Sequence, residues 1–140
     1  MAKDAYHEIL LHVVWHTKES RNIIAPEDEP QVHDVVRQRA LEHKGVYVHE
    51  IGGTRNHVHL VVRVPPTIQP AEWIGRVKGG SSHDWNQLGH WRLGWQSGYG
   101  IVTFGMKDLS WVVQYVRNQK QHHLKGRVFE RLEQIVDDDG

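Results

Sequence analysis

Eight residues, His57-Val58-His59-Leu60-Val61-Val62-Arg63-Val64, stand between a glycine-containing turn and the stop Pro65-Pro66. Successive side chains of a strand point to opposite faces of its sheet. Val58, Leu60, Val62 and Val64 therefore share one face, and His57, His59, Val61 and Arg63 share the other. The first face is uniformly apolar and has to meet a core. The second presents two imidazoles side by side, spaced as two ligands of one metal would be. Taken alone, the same pattern also suits two hydrogen-bonded or exposed histidines on a half-solvated sheet face.

The neighbouring segments supply partners for that strand. Tyr6 to His16 is apolar and β-branched and reads as a first strand. From Pro30 to Lys44, Val32, Val35, Val36 and Ala40 recur at helical spacing, with Gly45 where a helix C-cap belongs. Val46 to Ile51 is a short strand, and the turn Gly52 to Asn56 joins it to His57–Val64 as a hairpin. Pro70 suits the first turn of a helix to about Asn86, weakened near Gly79-Gly80. A glycine- and tryptophan-rich stretch, Gly89 to Gly98, leads to a last strand at Tyr99 to Phe104. Asp108 then caps a final helix from Leu109 to about His123. This order predicts an α+β fold: a ferredoxin-like or RRM-like antiparallel sheet with helices on one face, plus a C-terminal tyrosine-bearing helix.

The chain has 140 residues, the size of a single domain spanning 1–140, with no repeat or linker. Its start is charged rather than signal-like, and no apolar run could span a bilayer, so a cytoplasmic, non-membrane protein is expected. It has no cysteine, which excludes disulfides and thiolate metal sites. Any metal must be held by histidine, carboxylate, amide or water, and twelve histidines are a large supply. Formal net charge is zero at pH 7, where phosphate binders usually carry a basic excess. Acidic residues, however, gather at Glu27-Asp28-Glu29 and Asp137-Asp138-Asp139, while Arg55, Arg63, Arg76, Lys78 and Arg92 lie mid-chain and could form a basic face for DNA phosphates. Gly79-Gly80-Ser81-Ser82 lacks the strand and lysine of a phosphate-binding loop.

At about 100° per residue, the last helix gathers Leu109, Val112, Val113 and Val116 into an apolar stripe. Tyr115, Gln119 and His122 fall on one flank, and Tyr115 and Gln119 are i, i+4 neighbours. An ordinary amphipathic helix with a tyrosine at the edge of the core has the same pattern. So does a nucleophile placed beside an amide oxygen ligand.

The run Asn56-His57-Val58-His59-Leu60-Val61-Val62, the later Trp95-Gln96-Ser97-Gly98-Tyr99-Gly100, and Tyr115-Val116-Arg117-Asn118-Gln119 followed by His122-His123 resemble the single-tyrosine HUH transposases of small insertion sequences and their repeat-associated relatives. The likeness runs from the first strand to about Phe129. It implies a divalent ion, Mg²⁺ or Mn²⁺, held by His57, His59 and Gln119, and Tyr115 as the nucleophile. The family often has an acidic residue just before the histidine pair, where this chain has Asn56. The implied reaction is cleavage and rejoining of single-stranded DNA, with hairpin-forming element ends, through a 5′-phosphotyrosine.

Two element ends need two tyrosines, so a homodimer is expected. Identical chemistry would serve a replication-initiator or relaxase-like nickase, while a non-catalytic single-stranded nucleic-acid-binding module would need no metal. His122 or His123 could add to the metal site. Among the six tryptophans, Trp91 and Trp95, set among glycines and Arg92, are expected to stack unpaired bases and the others to be core.

Overall fold

Seven of the eight residues of the strand His57–Val64 are buried, Arg63 being the exception. Both of its faces are therefore covered. The computed structural model describes residues 5–120 and 129–136. In chain order these form β1 (Ile9–His16), α1 (Glu29–Ala40), β2 (Tyr47–Gly53), β3 (His57–Val64), α2 (Pro70–Gln87), β4 (Gly100–Phe104), α3 (Leu109–Arg117) and α4 (Glu130–Glu133). The strands make one antiparallel sheet in the order β2-β3-β1-β4. This is the split βαβ arrangement that the order of elements predicts, with β1 and β3 at the centre.

One sheet face carries Leu11, Val13 and Trp15 of β1 and Val58, Leu60, Val62 and Val64 of β3. Against it lie Val32, Val35, Val36 and Ala40 of α1 and Trp73, Ile74, Val77 and Trp85 of α2. Burying each of the larger aliphatic side chains contributes about 1.5–3 kcal/mol, so this layer supplies most of the driving force. The opposite face is closed by a smaller cluster: Val61 beneath Val112, Tyr115 and Val116 of α3 and Leu132 of α4. The expected stripe thus forms, with Leu109 and Val113 packed partly against it.

Several element ends differ from the sequence expectation. β1 begins at Ile9, and Tyr6 is exposed. α1 stops at Ala40, capped by Leu41 rather than near Gly45. Gly45 instead takes a left-handed φ of 92° in the turn before β2. β2 extends through Gly52 and Gly53, leaving Thr54 to Asn56 as the turn. α2 runs to Gln87 without a break at Gly79-Gly80. Asp108 makes no side-chain cap; a 3₁₀ turn, Met106–Asp108, leads into α3 instead. α3 ends at Arg117 because Asn118 leaves helical geometry (φ −102°, ψ 29°), and helix resumes at Gln119. His122 and His123 lie outside the described residues.

The seat of α3 depends on one glycine. A Cβ on Gly52 would lie 2.0 Å from the Val116 carbonyl oxygen, so only a hydrogen lets the helix backbone lie on β2. Gly52→Ala should cost about 1–3 kcal/mol, the range for overpacking. Gly75→Ala, where an added Cβ meets nothing within 4 Å, should gain up to about 1 kcal/mol from helix propensity. Urea unfolding of the two variants checks the pair, and equal stabilities would show that α3 shifts freely.

Candidate active site

Histidines 57 and 59 project from β3 toward the face that α3 and α4 close. Neither is solvated: His57 is 3% exposed and His59 0%. Each therefore needs partners. His57 Nδ1 lies 2.7 Å from Asn56 Oδ1 and 2.9 Å from Thr54 Oγ1, both supplied by the β2–β3 turn. An amide oxygen can only accept, and His57 meets one at each ring nitrogen, Asn56 Oδ1 at Nδ1 and Gln119 Oε1 at Nε2; the neutral ring carries one proton between them, and Nε2 is the nitrogen that faces the site. His59 Nδ1 lies 2.7 Å from Nε2 of His12, a buried residue of β1 on the same face. Burial holds His12 well below the ordinary imidazole range, and burial with His59 alongside pushes His57 down to about 3. Both are neutral at pH 7.

The tyrosine helix brings the other groups. Gln119 is 1% exposed; its Nε2 donates to the Tyr115 carbonyl at 3.2 Å, and its Oε1 lies 3.2 Å from His57 Nε2. Its amide oxygen is thereby turned toward the histidines, one helical turn from Tyr115. The Tyr115 ring meets the His59 ring edge-on, with centroids 6.0 Å apart. The expected quartet of His57, His59, Gln119 and Tyr115 therefore converges.

A fifth member was not visible in the sequence. Glu133, on the one-turn helix α4, places Oε1 3.3 Å from His59 Nε2 and 3.7 Å from His57 Nε2, while Oε2 accepts a short hydrogen bond from the Tyr115 hydroxyl. The Phe129 N–H also donates to that hydroxyl, at 2.8 Å. Burial opposes ionisation of Glu133, but the hydrogen bond and charge interaction with His59, and the Tyr115 hydroxyl, hold it at about 2. Burial, with the Glu133 hydrogen bond, pushes the Tyr115 phenol up to about 12. The proton sits on the tyrosine and the charge on the carboxylate. No local sequence pattern points to Glu133 or to its distant partners; in the structure α4 turns inward on the buried Leu132 beside it.

Ligand atoms of His57, His59 and Glu133 lie within 4.8 Å of one another. His59 Nε2 is buried, and the polar atom facing it is Glu133 Oε1, 3.3 Å away. Imidazole nitrogen with carboxylate and amide oxygen is a donor set that fits a divalent ion.

The cationic residues are not gathered here. Arg55 and Arg92 are exposed. Arg76 is exposed and pairs with Glu72 on its own helix at 2.8 Å. Arg63 donates to the His7 carbonyl. Lys78 is 8% exposed, and its ammonium donates to the carbonyls of Gln96, Ser97 and Gly98 at 2.6, 3.0 and 3.1 Å, pinning the loop before β4. Trp91 and Trp95 also differ from expectation. Trp91 packs on Trp85 and donates to Asp28, while Trp95 meets Trp15 edge-on and donates to Ser81, so both serve the main core.

Fold and site together define the class of small tyrosine transposases. The chain belongs to the IS200-like transposase family, whose model matches residues 5–119, and it is a DNA transposase. It is 25% identical to the transposases for insertion sequence element IS200 of Salmonella typhimurium and Salmonella typhi, over 82% of this chain and 79% of theirs. In structure it is similar to a candidate transposase from Deinococcus radiodurans R1, with TM-score 0.66, 18% identity, and 89% of this chain and 94% of that one covered. It is also similar to a REP-associated tyrosine transposase bound to a REP hairpin, with TM-score 0.61, 12% identity, and 89% and 73% covered.

His12 and Asn56 orient the two ring nitrogens without touching the site's centre. His12→Ala or Asn56→Ala should weaken Mn²⁺ binding by about 10- to 100-fold, the usual effect of losing a partner that orients a ligand. Titration calorimetry reads this directly, and unchanged affinity in both variants would mean that the two residues only pack.

Proposed function

We propose that this chain, acting as one domain, cleaves and rejoins single-stranded DNA at hairpin-forming element ends through Tyr115. The observation that carries this reading is the convergence of Tyr115, His57, His59 and Gln119, drawn from separate motifs, around the Glu133 carboxylate. Family membership favours transposition over a nickase or a passive binding module.

His57, His59 and Gln119 would hold Mg²⁺ or Mn²⁺, with Glu133 as a further oxygen donor. Such an ion supplies Lewis-acid neutralisation of the scissile phosphate. The remaining work is done by the chain. The Gln119 side chain, tied to the Tyr115 carbonyl, keeps nucleophile and ligand one turn apart. The Tyr115 oxygen attacks phosphorus as the phenolic proton passes along its hydrogen bond to Glu133 Oε2, the 3′-oxygen of the preceding nucleotide departs, and a proton is returned to it through solvent to give the 3′-hydroxyl. The products are a 5′-phosphotyrosine and a free 3′-hydroxyl. One phosphodiester replaces another, so a second 3′-hydroxyl can reverse the step without ATP.

No described helix is long and apolar enough to cross a membrane, and a cytoplasmic setting beside chromosomal DNA suits the reading. The exposed Arg55 and Arg92 suit phosphate contact better than Lys78, whose ammonium is already surrounded by carbonyls.

Tyr115→Phe should abolish covalent DNA attachment, assayed on denaturing gels with labelled single strands from the flanks of its own gene, while binding persists. Adducts formed by that variant would sink the assignment. His57→Ala or His59→Ala should abolish cleavage, and Gln119→Ala should give a milder loss because water can replace an amide oxygen.

Two strand ends also call for two tyrosines and a homodimer. Mixing Tyr115→Phe with His57→Ala chains under subunit exchange should restore adducts on the His57→Ala chain if each tyrosine serves the partner's site. No rescue is the result if each serves its own site, the arrangement that the contacts of Tyr115 with His59 and Glu133 favour.

A further inference from the structure

Trp111, Tyr115 and Gln119 stand four residues apart along α3 and its continuation, which puts them on one face at steps of about 6 Å. Gln119 and Tyr115 end at the histidine pair. Trp111 is 38% exposed, and its ring centroid lies 4.9 Å from that of Phe129, which is 45% exposed. Phe129 is joined to the Tyr115 hydroxyl by its backbone N–H at 2.8 Å and to the Tyr115 ring edge-on at 6.3 Å. An aromatic row thus runs from the buried His59 through Tyr115 and Phe129 to Trp111 at the surface.

The core of that face is built without the outer pair. It consists of Val61, Val112, Tyr115, Val116 and Leu132, with four partly buried apolar residues against them. The other five tryptophans are buried or packed against the main core.

We infer that Trp111 and Phe129 form a stacking platform for an unpaired nucleobase adjoining the scissile phosphate. The inference rests on Tyr115 being the nucleophile. A strand whose phosphate lies at the Tyr115 oxygen must place its attached nucleosides within one nucleotide's reach, and Phe129 touches that same oxygen. Aromatic faces hold any base by its π-surface. The platform therefore selects unpaired over paired DNA without reading sequence. It also supplies affinity that a chain of zero formal net charge does not draw from bulk electrostatics.

The test compares a short oligothymidylate with an abasic phosphodiester strand of equal length, using fluorescence anisotropy. Trp111→Leu, which keeps an apolar side chain and should fold, is expected to weaken oligothymidylate binding by about 5- to 150-fold. Abasic-strand affinity should stay unchanged, and Trp111→Phe should restore most of the loss. Equal losses on both strands, or none on either, would overturn the platform. Adduct formation is followed in the same proteins. DNA captured on Tyr115 with no base dependence at Trp111 overturns the platform and leaves the nucleophile standing. No capture by the wild-type chain overturns the nucleophile, and with it the platform's place beside a scissile phosphate.

Discussion

The close seating of α3 on the second face of the sheet is the contact on which the site depends. It is possible because β2 carries Gly52 beneath the Val116 carbonyl and because Val61 supplies an apolar patch among the histidines. Removing water from above β3 turns two ordinary histidines into buried acceptors that must be satisfied. The response is layered. Turn residues take one ring nitrogen of His57, a strand neighbour takes one of His59, and the second nitrogens are left for the centre. The burial that stabilises the fold thus also orients the chemistry.

Ionisation in the site is concentrated on one carboxylate. His12 and His57 are neutral, Glu133 keeps its negative charge, and Tyr115 keeps its proton. The carboxylate lies against both the histidine nitrogens and the phenol. The phenol is therefore held protonated against a charged carboxylate, and positive charge near its oxygen would favour its ionisation.

Zero net charge was the strongest compositional objection to a DNA partner, and the placement of cations sharpens it. Lys78 is committed to its own loop and Arg76 to Glu72. What the described surface does offer is exposed arginine at Arg55 and Arg92 and exposed aromatic surface near Tyr115.

The strand faces of His57–Val64, the hairpin before it, the two sheet-covering helices and the α3 stripe could all be read locally, because period and turn chemistry are properties of neighbouring residues. So could the candidates His57, His59, Tyr115 and Gln119. Element ends were less legible. The shortening of α1 at Ala40 and the break at Asn118 depend on what each end packs against. Which tryptophan stays exposed was misjudged for a similar reason: Trp91 and Trp95 find hydrogen-bond acceptors far along the chain, and Trp111 packs outside the core. Glu133 and His12 have no local signal at all, since their roles arise only when α4 and β1 meet β3. The order of residues determined which groups could take part, because side-chain chemistry and local periodicity are written along the chain. Tertiary structure alone decided which of them share one water-excluded point, because that depends on distances between segments that nothing in their own sequence encodes.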